Sequence, residues 1–111
     1  MLLRFKNYSG ALAILLMFGV QSAAAQEAVS VTIKNKRFSP STLHVSANKP
    51  IKITVHNADT AAAEFESRTL RVEKVVPAGG TVVINVKPLV PGSYGFFDDF
   101  NASNQGVLIA K

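Results

Sequence analysis

The sequence of 111 residues contains no cysteine. This absence excludes disulfide bonds, thiolate metal ligands and a cysteine nucleophile. The chain also lacks a Gly-x-Ser-x-Gly motif, a histidine-rich metal motif and a glycine-rich loop that could cradle a phosphate. We therefore expect a binding protein rather than an enzyme.

A concentrated basic surface is also missing. Twelve Lys and Arg residues oppose seven Asp and Glu, and the basic residues are scattered along the chain. A nucleic-acid-binding surface would need them clustered, with aromatic side chains between them. We therefore expect no nucleic-acid partner.

The N-terminus has the organisation of a secretory signal peptide. Arg4 and Lys6 precede an apolar run over residues 11–20, and the small residues Ala23 and Ala25 follow. A transmembrane helix needs roughly 20 apolar residues, about twice the length of this run. The pattern predicts a signal peptide over residues 1–25, cleaved after Ala25, and one exported domain over residues 26–111 that is not inserted in the membrane. An uncleaved N-terminal anchor is the alternative.

Apolar residues in the predicted domain alternate with polar ones at a period of two, which is typical of half-buried β-strands. The clearest strand covers residues 51–56, where Ile51, Ile53 and Val55 alternate with polar residues. Turn residues separate seven to eight such segments, among them Pro77-Ala78-Gly79-Gly80. No segment holds a helical period over three turns. The pattern predicts an all-β, antiparallel Greek-key β-sandwich.

Several segments together resemble the cupredoxin-like domain of EfeO-type proteins, and most of all the FtrB-like component of bacterial ferrous-iron transport systems. Their order and spacing carry the resemblance, which covers nearly the whole predicted domain. The matching segments are Phe38-Ser39-Pro40, Leu43-His44-Val45, residues 52–57, Glu64-Phe65-Glu66, Val76-Pro77-Ala78-Gly79, residues 91–97 and Gly106-Val107-Leu108.

The resemblance implies a two-sheet sandwich with a metal site at one end, where blue-copper members use two His, one Cys and a weak Met ligand. Aligned on the matching segments, the first His position falls on Ala63, the Cys position on Asp98 and the second His position on Asn101. The Met position falls near Asn104 or Gln105. None of these residues supplies an imidazole or a thiolate. The sequence therefore excludes a blue-copper centre.

Carboxylates and one histidine stand near this end of the predicted sandwich. The carboxylate oxygens suit hard ions such as iron and manganese, and a nearby imidazole would also allow Cu(II) to bind. The alternative for the two glutamates is a solvated strand face paired with basic residues on a neighbouring strand. Asp98 is the stronger candidate of the two aspartates, because it replaces the cysteine and because adjacent strand residues point to opposite faces. The candidate metal ligands are Glu64, Glu66, Asp98, Asp99 and His56.

The resemblance implies a periplasmic accessory protein of an iron-uptake system, which binds iron or copper and acts beside a periplasmic iron-binding protein and a membrane iron permease. Two alternatives remain open. One is a metal-free adaptor that uses a rim of Phe96, Phe97 and Phe100 to hold a transporter. The other is a copper-dependent ferrous iron oxidase.

Overall fold

The computed structural model describes residues 25–111, and these residues form nine β-strands in two sheets. The predicted signal peptide lies outside the described residues except for Ala25. Within residues 25–111 there is no helix with the length and apolarity needed to cross a membrane. The strands are β1 Glu27–Lys34, β2 Arg37–Ser39, β3 Thr42–Val45, β4 Ile51–Asn57, β5 Ala63–Ser67, β6 Val72–Val76, β7 Thr81–Val86, β8 Gly92–Asp98 and β9 Asn101–Ala110.

The predicted all-β sandwich is confirmed, with one strand more than the sequence indicated. The additional strand, β2, has three residues and only one buried side chain, that of Phe38. So short a segment shows no alternation that could reveal it. Strand β9 also includes residues 101–105, which are mostly polar and carry no apolar period that could indicate a strand.

The sheets have the strand orders β2-β1-β4-β7 and β3-β9-β8-β5-β6. The pairs β1–β4 and β3–β9 are parallel, so the expectation of a purely antiparallel sandwich is wrong. Parallel neighbours require the chain to leave the sheet and return. Here the chain passes from β2 in the first sheet to β3 in the second and back to β4.

The core lies between the inward faces of the two sheets. The alternating residues Ile51, Ile53 and Val55 of β4 are fully buried, as the period of two predicts. Opposite them, the ring of Phe96 stacks on Phe65 with the centroids 4.9 Å apart, and Phe38 meets Phe96 edge-on at the same distance. Stacked and edge-on pairs of this kind contribute about 0.5–1.5 kcal/mol beyond their burial.

Gly106 makes room for this aromatic cluster. It lies opposite Phe96 in the β8–β9 ladder. A Cβ atom at Gly106 would lie 2.5 Å from Cε1 of Phe96 and 2.8 Å from the carbonyl oxygen of Ser41. Both distances are too short for carbon, so the position requires glycine while the Phe96 ring is in place.

Three connections meet at one end of the sandwich, which we call the pole: the β1–β2 turn, the β4–β5 loop and the β8–β9 turn. Asp59 joins the first two, since its carboxylate accepts hydrogen bonds from the backbone N–H groups of Asn35 at 2.7 Å and Lys36 at 2.8 Å. Both turn residues have positive φ, 53° and 60°, as a two-residue hairpin turn of type I′ requires. The β1–β2 turn is therefore fixed by a side chain of the β4–β5 loop.

Buried Asn57 fixes the β4–β5 loop itself. Its Nδ2 donates to the carbonyl oxygens of Ala61 at 2.8 Å and Val76 at 3.1 Å, and its Oδ1 accepts from the N–H of Asp59 at 2.9 Å. The amide is fully satisfied although it is excluded from water, so it stabilises the pole.

Candidate functional site

A cleft of about 420 Å³ opens at the pole. Its walls come from the three connections and from the ends of β1, β5, β8 and β9. The residues lining it are Ile33, Asn35, Lys36, Asp59, Thr60, Ala61, Ala62, Ala63, Asp98, Phe100 and Asn101. We call it the pole cleft.

Three of the four positions aligned with copper ligands line this cleft, namely Ala63, Asp98 and Asn101. They offer a methyl group, a carboxylate and an amide. Asp98 is 4% exposed, and its Oδ1 accepts hydrogen bonds from the N–H groups of Glu64 at 2.9 Å and Phe100 at 3.0 Å. The residues of the cleft therefore do not fit a blue-copper ion, and the carboxylate of Asp98 instead ties β8 to β5 and closes the β8–β9 turn.

A second group of carboxylates lies outside the pole cleft, on the outer face of the five-stranded sheet. Glu64, Glu66 and Asp99 each place one carboxylate oxygen within 4.8 Å of the others. We call these three residues the acidic cluster. It is the one group of at least three His, Cys, Asp or Glu side chains with this spacing in residues 25–111.

The strand pattern explains why the glutamates of the cluster point outward. Ala63, Phe65 and Ser67 of β5 are buried, so Glu64 and Glu66 between them face away from the core. Asp99 follows β8 directly, and its N–H donates to the carbonyl oxygen of Glu64 at 3.0 Å. A backbone contact thus positions the third carboxylate beside the first.

Like charges are crowded around the cluster. Glu73 of β6 lies directly opposite Glu66 of β5. Partial burial raises the pKa of Glu64 above its ordinary value of 4.5, and the charge of Glu73, the side chain of Asp99 and the charge of Glu66 raise it further. The repulsion between these carboxylates favours a proton or a cation at this face.

The structure brings together three of the five predicted ligands and separates the other two from them. Asp98 lies opposite Phe65 in the β5–β8 register, so its side chain is on the inner face, whereas Glu64 and Glu66 are on the outer face. His56 lies on β4 of the other sheet, and its Nδ1 is 2.8 Å from Oγ1 of Thr81. Metal binding by any of the five residues remains a prediction.

The predicted rim of three phenylalanines is also divided. Phe96 belongs to the core, and Phe97 lies on the outer face with the guanidinium of Arg68 5.2 Å from its ring centroid. Only Phe100, which is 57% exposed, stands at the pole. The alternation along β8 explains this division, since consecutive strand residues cannot share a face.

Sequence reasoning missed the buried polar residues that shape the pole. Nothing in the sequence indicates that Asp59 of the β4–β5 loop holds the β1–β2 turn. Asn104 was considered only as a copper-ligand position. It is buried, and its Oδ1 accepts from the N–H of Phe38 at 2.9 Å.

Two sheets packed face to face, with a cleft at the pole where three connections meet, define a cupredoxin-like fold. The family described as the cupredoxin-like domain matches residues 9–110, and the chain belongs to this family. An uncharacterized protein of Rickettsia prowazekii (strain Madrid E) is 39% identical over 84 residues, which are 75% of this chain and 67% of that protein.

Solved structures share the fold at low sequence identity. The metal-binding domain of the Cu(I)-exporting P-type ATPase CopA of Streptococcus pneumoniae D39, solved with Cu(I), has a TM-score of 0.71 at 15% identity and covers 82% of this chain and 91% of its own. A dithionite-reduced auracyanin of the photosynthetic bacterium Roseiflexus castenholzii has a TM-score of 0.64 at 15% identity, over 80% of this chain and 99% of its own. At these identities the likeness establishes the fold.

Proposed function

We propose that this chain is an exported, periplasmic cupredoxin-like accessory protein that binds iron or Cu(II) through carboxylates. The acidic cluster carries the proposal, because three carboxylate oxygens lie within 4.8 Å of one another on one face. Carboxylate oxygens suit hard cations. Glu64, Glu66 and Asp99 would hold the ion. Asp98 would help to position them, because its Oδ1 accepts the backbone N–H groups of Glu64 and of Phe100, the residue after Asp99.

The crowding of negative charge supports this assignment. Partial burial raises the pKa of Glu64, and the neighbouring carboxylates raise it further, so the unliganded cluster contains unfavourable repulsion. A bound cation removes that repulsion and gains the attraction of all three groups. The glutamates lie on a regular strand, which reduces the freedom lost when the ion binds.

The metal site of this protein would thus differ from that of a blue-copper protein in both place and chemistry. Ala63 and Asn101 give the pole cleft no thiolate or imidazole donor. The third aligned residue, Asp98, offers a carboxylate whose Oδ1 already accepts two backbone hydrogen bonds. Electron transfer through a copper thiolate centre is therefore not part of the proposal. The finer assignment to an iron-uptake system rests on the resemblance to the EfeO-type and FtrB-like domains. Under it, the partners are a periplasmic iron-binding protein and a membrane iron permease.

Calorimetry on the untagged mature domain tests the proposal. Fe(II) under anaerobic conditions and Cu(II) are titrated separately into the wild type and into the double variant Glu66→Gln, Asp99→Asn. We expect saturable binding of at least one ion by the wild type and a loss of at least roughly tenfold in the double variant. Glu27→Gln, which removes a carboxylate from the other sheet, is the matched control. Equal binding by all three proteins would overturn the proposal.

The exposure of Phe100 favours a second candidate function, that of a metal-free adaptor. An isolated phenyl ring that is 57% exposed beside a cleft is a suitable anchor for a partner protein. Under this alternative, the domain carries no metal by mass spectrometry, and Phe100→Ser weakens the capture of an iron permease or iron-binding protein co-expressed with it. Capture unchanged by Phe100→Ser would argue against the adaptor.

A further inference from the structure

Asn104 of β9 contains a buried polar atom with no partner. The residue is 6% exposed, and its Nδ2 is the one buried side-chain nitrogen or oxygen in residues 25–111 without a hydrogen bond. Leaving a buried donor unpaired costs free energy, so such a group calls for a ligand or an ordered water. The orientation of the amide is determined, because its Oδ1 accepts the N–H of Phe38. The free group is therefore a donor.

Asn104 lines a second cleft, of about 650 Å³, which is separate from the acidic cluster. Lys36 and Arg37 also line it, and no carboxylate does among the described residues. The other lining residues are Asn35, Phe38, Ser41, Asn101, Ser103 and Gln105. Apart from Phe38, each carries a cation, an amide or a hydroxyl. We call this the basic cleft.

The geometry points to a binding site for a small oxyanion in the basic cleft, held by the Asn104 Nδ2 donor and by the charges of Lys36 and Arg37. Carboxylate and phosphate groups share the required chemistry, since both offer several acceptor oxygens to amide and guanidinium donors. Arg37 can offer two parallel N–H groups to either. The site does not depend on the acidic cluster.

Nuclear magnetic resonance titration of the 15N-labelled mature domain tests the site, with citrate in one arm and inorganic phosphate in the other. We expect saturable shifts of the Asn104 side-chain NH2 signals and of the backbone amides of Lys36 and Arg37. A response to citrate alone identifies a carboxylate ligand, and a response to phosphate alone identifies a phosphate ligand. Absence of any Asn104 side-chain shift in both arms would overturn the inference.

Variants separate a built site from general attraction of anions to a basic protein. Arg37→Gln changes an exposed side chain and should weaken anion binding by roughly tenfold. The matched control Lys74→Gln removes an exposed charge from the edge strand β6 and should leave the affinity unchanged. Equal losses in both variants would show attraction to net charge only and would sink the inference. The titration is repeated in the Glu66→Gln, Asp99→Asn protein, where the anion affinity should persist even if metal binding fails.

Discussion

Asp98 and Asp99 are adjacent in the chain, yet they lie in contrasting surroundings. Asp98 is buried on the inner side of the five-stranded sheet, where its Oδ1 accepts two backbone hydrogen bonds. Asp99 is exposed on the outer side, where its carboxylate meets those of Glu64 and Glu66. The difference shows that the carboxylate at the position aligned with the copper-binding Cys supports the fold, whereas the carboxylate next to it in the chain faces outward beside two others.

The largest expected effect is a loss of domain stability when Asp98, on the inner side of the sheet, is replaced. Asp98→Ala leaves the N–H groups of Glu64 and Phe100 without their acceptor, which should lower the free energy of unfolding by about 2–4 kcal/mol. Chemical denaturation followed by circular dichroism measures the change. Asp98→Asn is the control, since its side-chain oxygen can still accept both bonds and should retain most of the stability. Wild-type stability in Asp98→Ala would contradict the structural role.

The second-largest effect is expected at Asp99, where replacement should change metal affinity rather than stability. Asp99→Asn should weaken Fe(II) or Cu(II) binding at least tenfold, about 1.4 kcal/mol, because it removes one of three ligand charges. Its stability should stay the same or rise slightly, since like-charge repulsion is relieved. Calorimetry and denaturation on the same sample give both values. Loss of stability without loss of metal affinity would make Asp99 resemble Asp98 and would abolish the contrast.

The third effect concerns pH. The pKa of Glu64 is raised in the folded protein by partial burial and by the charges of Glu73, Asp99 and Glu66, so its ionised form is disfavoured by folding. Its contribution opposes stability above the raised pKa and disappears as the pH falls through that pKa toward 4.5, the ordinary value. Unfolding of the metal-free protein at several pH values, compared with Glu64→Gln, isolates this contribution. The variant should have its greatest stability advantage near neutral pH, and an advantage that grows on acidification would contradict the prediction.

The smallest effect is expected at Glu73, which lies opposite Glu66 across the β5–β6 ladder. Glu73→Lys replaces a like-charge pair with an opposite-charge pair and should increase stability by about 0.2–1 kcal/mol. It should also lower the pKa of Glu64 toward its ordinary value. Thermal unfolding, with Glu27→Lys as the control for net charge, measures the first change. An equal gain in both variants would show that the gain comes from net charge and not from this pair.

Much of the fold could be predicted from the alternation of apolar and polar residues. Ile51, Ile53 and Val55 are buried as predicted, and Phe65 enters the core while Glu64 and Glu66 face outward. The same rule predicts that Asp98 and Asp99 cannot share one ion. It does not reveal which carboxylate meets the glutamates, because that depends on the register in which Phe65 lies opposite Asp98.

The remaining features depend on contacts between distant parts of the chain. The parallel pairing of β1 with β4 leaves no mark in the local period, because both strands alternate as antiparallel strands would. The pairing of Glu66 with Glu73 joins residues on two strands and follows from register alone. The unpartnered donor of Asn104 arises from the packing of β9 against β2, which a reading of composition and spacing does not contain.

The two hydrogen bonds that Asp59 accepts from the Asn35–Lys36 turn have a consequence for the pole cleft and the basic cleft. These two turn residues line the pole cleft on one side and the basic cleft on the other, so the turn is their common wall. The carboxylate of Asp59 holds this wall through two backbone hydrogen bonds. Because the turn is already ordered, a ligand that binds in either cleft loses little free energy to ordering the chain. The two clefts are preorganised by one residue that belongs to neither the acidic cluster nor the core.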